Sequence, residues 1–364
     1  MKKPHQHFIP QTYLRKFSHM QNKGTYLIDA FNKTNGQTVI DMSVKDVCVE
    51  TDFYTLKHLQ GDAKYKIEDF LSERIEGQYP MVYKILVQEK KKFITPEERM
   101  HILYTTLSMY FRTPKALNEF VTFISKLVRQ AKSNSDIKTI NFLGYNVSVK
   151  NKSFEKIKKE IKENKRIDFI KAQLEILNQF VGFRALDGFV VIELVGDQEF
   201  VTSDNPVEIR NSFGTRFNLF DTKNSIYIPL DPKHALFIAP RQEKGIINEV
   251  FYQRDNFFQH VILNYCVHEN AERWVIGTKS GISKFLKDQK EYAESAQDNN
   301  NISTKFKNKI KLMKTLEILL KQGISNDNKE LIQFLKSLRE HELYNESVEF
   351  QDICKQMKEI GLKI

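Results

Sequence analysis

The sequence predicts an α+β fold: a helix-rich domain packed on a small mixed or antiparallel sheet, with a C-terminal helical module. Between residues 64 and 129, apolar residues recur at helical spacings. From residue 188 the apolar runs become short and are bounded by Gly, Asp or Pro, which is typical of strands in a buried sheet. We divide the chain into a core domain at 1–286, a polar linker at 287–304 and a three-helix module at 305–364.

A hairpin and several helices are predicted in the first half of the chain. The elements are strands at 25–31 and 37–41, an extended or looped segment at 44–54, and helices at 64–88 and 95–114. A further helical stretch continues from Pro114 to about residue 129. Asn35-Gly36 suits a turn with positive φ. Thr95 and Glu98 form a capping box at a helix start, and Pro114 is expected to kink or break that helix.

The second half of the chain changes from a long charged helix to short strands. The predicted elements are a helix at 153–181, strands at 188–195, 199–202, 225–228 and 234–238, a helix at 255–269 and a strand at 274–276. The apolar stripe of the long helix loses phase, so we expect a bend near Asn164. The C-terminal helices are more typical of contacts than of catalysis, and they could recruit a protein partner or mediate self-association.

Positive charge is concentrated in one segment. The formal net charge is +10, and residues 126–171 hold 13 Lys and Arg against 5 Asp and Glu. Such a surface attracts nucleic acid through counterion release, with Lys156, Lys158, Lys159 and Lys162 as candidate contacts. The alternative is that a Lys-rich chain simply carries solvated lysines.

Missing motifs and cysteine spacing narrow the functional classes. No P-loop, dinucleotide-binding, nucleophile-elbow or zincin motif is present, which argues against those enzyme classes. Cys48, Cys266 and Cys354 are too widely spaced for a zinc motif and odd in number for disulfides. With no signal-peptide pattern and no run of about 18 apolar residues, we expect a cytosolic protein without a membrane partner.

Two short strings, at 6–17 and 201–207, place chemically capable side chains within apolar surroundings. His7 could act as a base, an acid or a metal ligand, and its alternative is a core histidine bonded to a backbone carbonyl. Asp204-Asn205-Pro206 is a good turn string. It also ends a predicted strand, where a carboxylate and an amide suit ligand recognition. Because both strings need partners for their polar groups, we expect the His7 segment to lie against the strand ending at Thr202.

Both strings resemble signatures of a bacterial family catalogued as domain of unknown function 4238. The matching residues of the first string are His7, Pro10, Gln11, Tyr13, Leu14, Arg15 and Phe17. Further matches lie at 47–50, 52–54, 67–68, 75–76, 112–114, 203–206 and 227–230, and at Asn264, Ala271 and Arg273. The resemblance extends to about Gly277. It implies an architecture and a group of site residues, but no established reaction.

Two glutamates and an arginine of these matches have two interpretations. Glu68 and Glu76 are eight residues apart, within about 12 Å on one face of the predicted helix. Either could form an ion pair with Arg112, whose burial without a partner would be costly. Alternatively, Arg112 clamps an anionic substrate while the glutamates orient it.

Two functional hypotheses follow. The first is a cytosolic hydrolase, best described as a nuclease-type phosphodiesterase in a toxin or phage-defence role, which could use a divalent metal. Its acid–base or metal-binding groups would be His7, Asp204, Glu50 and Glu68. Its substrate-binding groups would be Gln11, Arg15, Arg112 and Asn205. The second hypothesis is a non-catalytic module that binds nucleic acid or protein and in which the same polar network is structural.

Overall fold

The computed structural model describes residues 5–297, apart from gaps at 23, 57–58, 133–138, 143–144, 149–151, 154, 158, 160–165, 212–218, 241–247 and 256–258. The predicted module at 305–364 and the bend near Asn164 therefore lie outside the described residues. Met1–Asp255 and His260–Phe285 form one compact unit, and a second unit includes the chain from Leu286 onward. The site described below lies within the first unit.

Helices and strands are mixed along the chain, which confirms the α+β class. The helices are α1 Gln11–Leu14, α2 Lys66–Phe70, α3 Tyr79–Tyr83, α4 Pro96–Phe111, α5 Pro114–Lys132, α6 Arg166–Arg184, α7 Gln259–Asn270 and α8 Lys279–Gln297. The strands are β1 His5–His7, β2 Met20–Asn22, β3 Thr25–Asn32, β4 Gln37–Ser43, β5 Val49–Thr51, β6 Thr139–Phe142, β7 Tyr145–Ser148, β8 Gly188–Leu194, β9 Thr202–Ser203, β10 Glu208–Asn211, β11 Asn224–Pro229, β12 His234–Ala239, β13 Val250–Asp255 and β14 Trp274–Gly277. None of the described helices is both long and apolar enough to cross a membrane.

The described strands form two five-stranded sheets and two two-stranded sheets. One sheet has the order β10-β11-β12-β8-β13, antiparallel except for the parallel β8–β13 pair. In the other sheet β3 pairs with β2, β4 and β14, and β14 also pairs with β9. β1 pairs with β5, and β6 with β7. The sequence grouped β9 with the strands around it in the chain, whereas it pairs with β14 instead.

Three local motifs form the structures that they predict. In the β3–β4 hairpin Gly36 has a φ of +71°, and its N–H donates to the Asn32 carbonyl at 2.8 Å. The Thr95 hydroxyl accepts from the Glu98 N–H at 3.1 Å, and the Glu98 carboxylate accepts from the Thr95 N–H at 2.8 Å. α5 begins at Pro114, so the proline separates two helices as predicted.

The predicted helix at 64–88 is helical but irregular. Its α-helical turns alternate with tighter and wider ones: 3₁₀ turns at Gly61–Tyr65 and Glu76–Gln78, and π turns at Leu71–Ile75 and Lys84–Gln88. A π turn changes the phase of the side chains that follow it, and such turns are frequent at functional sites. Glu68 and Glu76 are therefore not related by the regular spacing that the sequence predicts, and they contact different partners.

The start of the predicted polar linker is helical. Residues 287–297, assigned to a polar linker, continue α8 to Gln297. This stretch contains neither Gly nor Pro and is rich in Lys, Glu, Gln and Ala, which favour helix. Polar composition alone does not distinguish an exposed helix from a linker.

Tyr13 connects the N-terminal string to the second sheet. Its hydroxyl contacts the Thr202 hydroxyl at 2.5 Å and donates to the Pro229 carbonyl at 2.9 Å, and the ring is fully buried. The ring also packs edge-on against Tyr79. The sequence predicts this contact with a strand that ends at Thr202. In the structure the strand is Thr202–Ser203, and Tyr13 of the N-terminal segment contacts Thr202.

Removing this hydroxyl should destabilise the fold. We expect Tyr13→Phe to lower the free energy of unfolding by about 1–3 kcal/mol, because two buried polar groups lose their partner. Tyr13→Phe combined with Thr202→Val should recover part of that loss. The matched control is Tyr252→Phe, whose half-buried hydroxyl donates at 3.3 Å to Lys91. Urea unfolding measures all three, and a loss no larger than the control's would contradict this assignment.

Candidate functional site around His7

The backbone around His7 is fixed by a strand and a single helical turn. His7 ends β1 and lies opposite Val49 of β5, and the next residue, Phe8, donates its N–H to the Cys48 carbonyl at 3.0 Å. Pro10 then caps α1, whose first residue is Gln11. The chain bends between the end of β1 and the start of α1, and the Gln11 side chain contacts the His7 ring across this bend.

The His7 imidazole has a defined pair of contacts. Nε2 lies 3.3 Å from the Val44 carbonyl, and Nδ1 lies 3.3 Å from the Gln11 amide nitrogen. A carbonyl only accepts and an amide nitrogen only donates, so Nε2 carries the proton and Nδ1 carries a lone pair. Burial lowers the pKa of His7, and the Val44 carbonyl and Glu76 only partly oppose this. The ring is therefore neutral at pH 7.

Arg112 is a buried cation that joins three segments at this position. Its side chain is 5% exposed, and Nη2 donates to Glu76 at 2.5 Å and to the His7 carbonyl at 2.9 Å. Nε donates to the Tyr54 hydroxyl at 3.2 Å. Burial alone would lower the pKa of Arg112, but Tyr54 and Glu76 hold it above its usual value. The ion pair that the sequence left open between two glutamates is made by Glu76.

Glu68 belongs to a neighbouring set of bonds around Gln6. The Gln6 amide donates to Glu68 at 2.7 Å and to the Thr55 hydroxyl at 3.1 Å, and its oxygen accepts from the Tyr54 N–H at 2.6 Å. Gln6 is almost fully buried. Glu50 lies opposite Gln6 in the β1–β5 pair and is partly exposed. Gln6 was not among the predicted site residues, although it directly precedes His7.

The Ser203–Asn205 turn uses its polar groups to hold a loop. The Asp204 side chain accepts from the backbone N–H groups of Glu272, Arg273 and Trp274 at 3.0, 2.7 and 3.0 Å. Asp204 is 4% exposed. Burial raises the pKa of its carboxyl group, and the three N–H groups oppose that rise. This arrangement gives Asp204 a scaffold role.

Asn205 is held in the same way. Its N–H donates to the Ser203 hydroxyl at 3.0 Å, and its carbonyl accepts from the Asn270 amide at 2.9 Å. Lys115 in turn donates to the Asn270 side chain at 2.5 Å. Asn205 and Lys115 line a small cavity with Tyr110 and Glu119. The predicted substrate contact of Asn205 therefore belongs to a different cluster from that of His7.

The remaining predicted residues lie at the surface. Arg15 is exposed, contacts the Gln11 oxygen at 3.5 Å and lies over the Tyr26 ring. Lys156 and Lys159 are exposed, whereas Lys158 and Lys162 lie outside the described residues. The cluster therefore consists of His7, with Gln11 and Arg15 on its exposed side and Glu76 and Arg112 on its buried side.

A family comparison places this site in context. The model of the family described as "Protein of unknown function (DUF4238)" matches residues 5–281. The chain belongs to this family. No curated protein and no solved structure matched the chain. The match covers both strings and every residue of the His7 cluster, and it ends within α8.

The scaffold role of Asp204 gives a direct test. We expect Asp204→Asn to lower the free energy of unfolding by roughly 3 kcal/mol. The substitution removes the negative charge that binds the three N–H groups, and it places an amide NH₂, which is itself a donor, against those donors. Asp197→Asn serves as the control, since that carboxylate is exposed and pairs only with Lys284 among the described residues. Chemical unfolding of the two variants measures the difference. Equal stability of both would show that the Asp204 carboxylate is not needed by the fold.

Proposed function

We propose that this protein is a cytosolic hydrolase that cleaves phosphodiesters of nucleic acid, in a toxin or phage-defence role, with His7 as its general base. One observation carries the proposal: the Val44 carbonyl fixes the proton on Nε2, so that Nδ1 presents a lone pair towards the exposed Gln11–Arg15 side. A neutral imidazole with one nitrogen oriented by an acceptor is the usual form of a histidine base.

The neighbouring groups support each step of such a reaction. His7 Nδ1 would take a proton from water while the water oxygen attacks phosphorus, and the imidazolium would return that proton to the leaving oxygen as the ester bond breaks. Glu76 stabilises the imidazolium, because its negative charge raises the pKa of His7. Among the described residues, the Gln11 amide has only long side-chain contacts, to His7 at 3.3 Å and to Arg15 at 3.5 Å, so a water or substrate can replace it.

Anion binding is assigned to Arg15 instead of Arg112. The exposed Arg15 guanidinium contacts Gln11 and can reach a phosphate bound next to His7. Arg112 is enclosed, so in this proposal it is a positioning residue that holds the His7 backbone and Glu76. The exposed Lys156 and Lys159 supply part of a basic surface suited to a polyanion.

A second candidate is the non-catalytic module. It is favoured by the saturation of the polar groups around Gln6 and Asp204, which bond within the protein. In that case the network specifies the fold, and binding resides elsewhere. The two candidates differ in what happens when His7 is replaced without disturbing its size.

His7→Gln separates them. If His7 is the base, cleavage of fluorescently labelled single- and double-stranded DNA and RNA should fall by about 100-fold or more, because general base catalysis is lost. The melting temperature should stay within a few degrees, since glutamine can keep a donor and an acceptor. His101→Gln is the matched control, because His101 is a partly exposed histidine on α4 outside this cluster. Absence of cleavage by the wild-type protein, or unchanged cleavage by His7→Gln, would favour the binding module.

The pH dependence provides an independent check. The pKa of folded His7 is lowered from its ordinary value, so the base form is present at neutral pH and is lost as pH falls through that lowered value. Cleavage should therefore show an acidic limb below about pH 6.5. Stability should depend on pH in the same direction. As pH falls, the unfolded chain protonates His7 at a higher pH than the folded protein does, so acidification lowers the free energy of unfolding. This loss should be smaller in His7→Gln. A pH-independent rate would contradict the proposed role.

The basic surface is tested by charge reversal. Replacing Lys156, Lys158, Lys159 and Lys162 together with Glu should abolish retention on a heparin or nucleic-acid column and leave the circular dichroism unchanged. Wild-type affinity should also fall steeply with salt. Unchanged retention of the variant would contradict nucleic-acid binding by this surface and would support the interpretation that these lysines are simply solvated.

A further inference from the structure

Three side chains with metal-binding atoms meet at the second sheet, outside the His7 cluster. His19 lies immediately before β2, Asp29 in β3 and Asp41 in β4. One donor atom from each lies within 4.8 Å of the others, and of the described residues this is the group in which three such atoms converge. The His19 N–H donates to the Leu27 carbonyl at 3.0 Å, which fixes the histidine against β3.

Asp29 is an enclosed negative charge in this group. Its side chain is 4% exposed, and its Oδ1 accepts one backbone N–H, that of Asp41, at 3.1 Å. Within the described part of the chain no Lys or Arg forms an ion pair with Asp29 or Asp41. A buried carboxylate is costly unless a cation or several donors compensate it. The position therefore favours a cation.

The strand geometry turns the two carboxylates towards His19. The β3–β4 register shifts between Ile28 and Ala30, so Asp29 sits at a bulge, and Asp41 has a φ of +52°. Bulges redirect side chains and are frequent beside functional sites. His19 Nε2 lies 2.9 Å from an Asp41 oxygen and 3.9 Å from an Asp29 oxygen.

We propose that His19, Asp29 and Asp41 bind a divalent transition-metal ion such as Zn²⁺ or Mn²⁺. Ligand atoms at about 2.0–2.1 Å from a tetrahedral ion lie about 3.3 Å from one another, between the two distances observed. One imidazole and two carboxylates form a mixed donor set suited to these ions. Asp41 is 53% exposed, so the ion can enter from solvent and keep water as a further ligand. Three protein ligands with an open position are typical of reactive metal sites.

The proposal is independent of the His7 chemistry, and its competitor is a metal-free ion pair between protonated His19 and the two aspartates. Titration of EDTA-treated full-length protein with ZnCl₂ or MnCl₂, followed by calorimetry, distinguishes them. We expect one ion bound per chain and a melting temperature that rises with metal concentration, because the ion binds the folded state.

Variants locate the site. His19→Gln and Asp41→Asn should each weaken metal binding by about 10- to 100-fold or more. Loss of a residue that only hydrogen-bonds a metal ligand already costs that much, and these two residues would bind the ion directly. His101→Gln should bind like wild type, because His101 has one carboxylate partner, Glu97, at 3.7 Å and no third donor within the described residues. Circular dichroism confirms that the variants fold. No binding of either ion by wild type, or wild-type affinity in both His19→Gln and Asp41→Asn, would overturn the proposal.

Discussion

The buried guanidinium of Arg112 imposes a constraint that much of the N-terminal half satisfies. A guanidinium whose side chain is only 5% exposed needs a counter-charge and hydrogen-bond acceptors at fixed positions. Glu76 and the His7 carbonyl accept from Nη2, and the Tyr54 hydroxyl accepts from Nε. Three separate segments, the first strand, the chain after β5 and the irregular helix at 61–88, are thereby held against the end of α4. His7 takes its orientation from this arrangement.

The second string of the family has a different physical task. Asp204 binds three successive N–H groups at the start of β14, and Tyr13 joins this sheet to the N-terminal segment through Thr202. The two strings therefore meet, but their polar groups bond different partners. We interpret the Asp204 turn as a structural element that stabilises the fold. We interpret the His7 cluster as the position where chemistry can occur, because His7 is partly exposed and its contact with Gln11 can be displaced.

Local sequence signals predicted the elements whose chemistry is local. The capping box at Thr95, the hairpin at Gly36 and the break at Pro114 each depend on residues within a few positions, so the sequence was sufficient. The ion-pair partner of Arg112 was not predictable, because the π turn at Leu71–Ile75 lies between Glu68 and Glu76 and changes the phase of the helix between them. The saturation of Asp204 was also hidden, since its partners lie about 70 residues away and are backbone groups without a sequence signature.

The central claim is that His7 is a neutral base with its proton on Nε2 and its lone pair on Nδ1. Nitrogen-15 NMR of protein labelled in histidine measures this directly, because protonated and unprotonated ring nitrogens have widely different chemical shifts. At pH 7.5 we expect the His7 signals, assigned by their loss in His7→Gln, to show a protonated Nε2 and an unprotonated Nδ1. A proton on Nδ1, or an imidazolium, would contradict this account of the site.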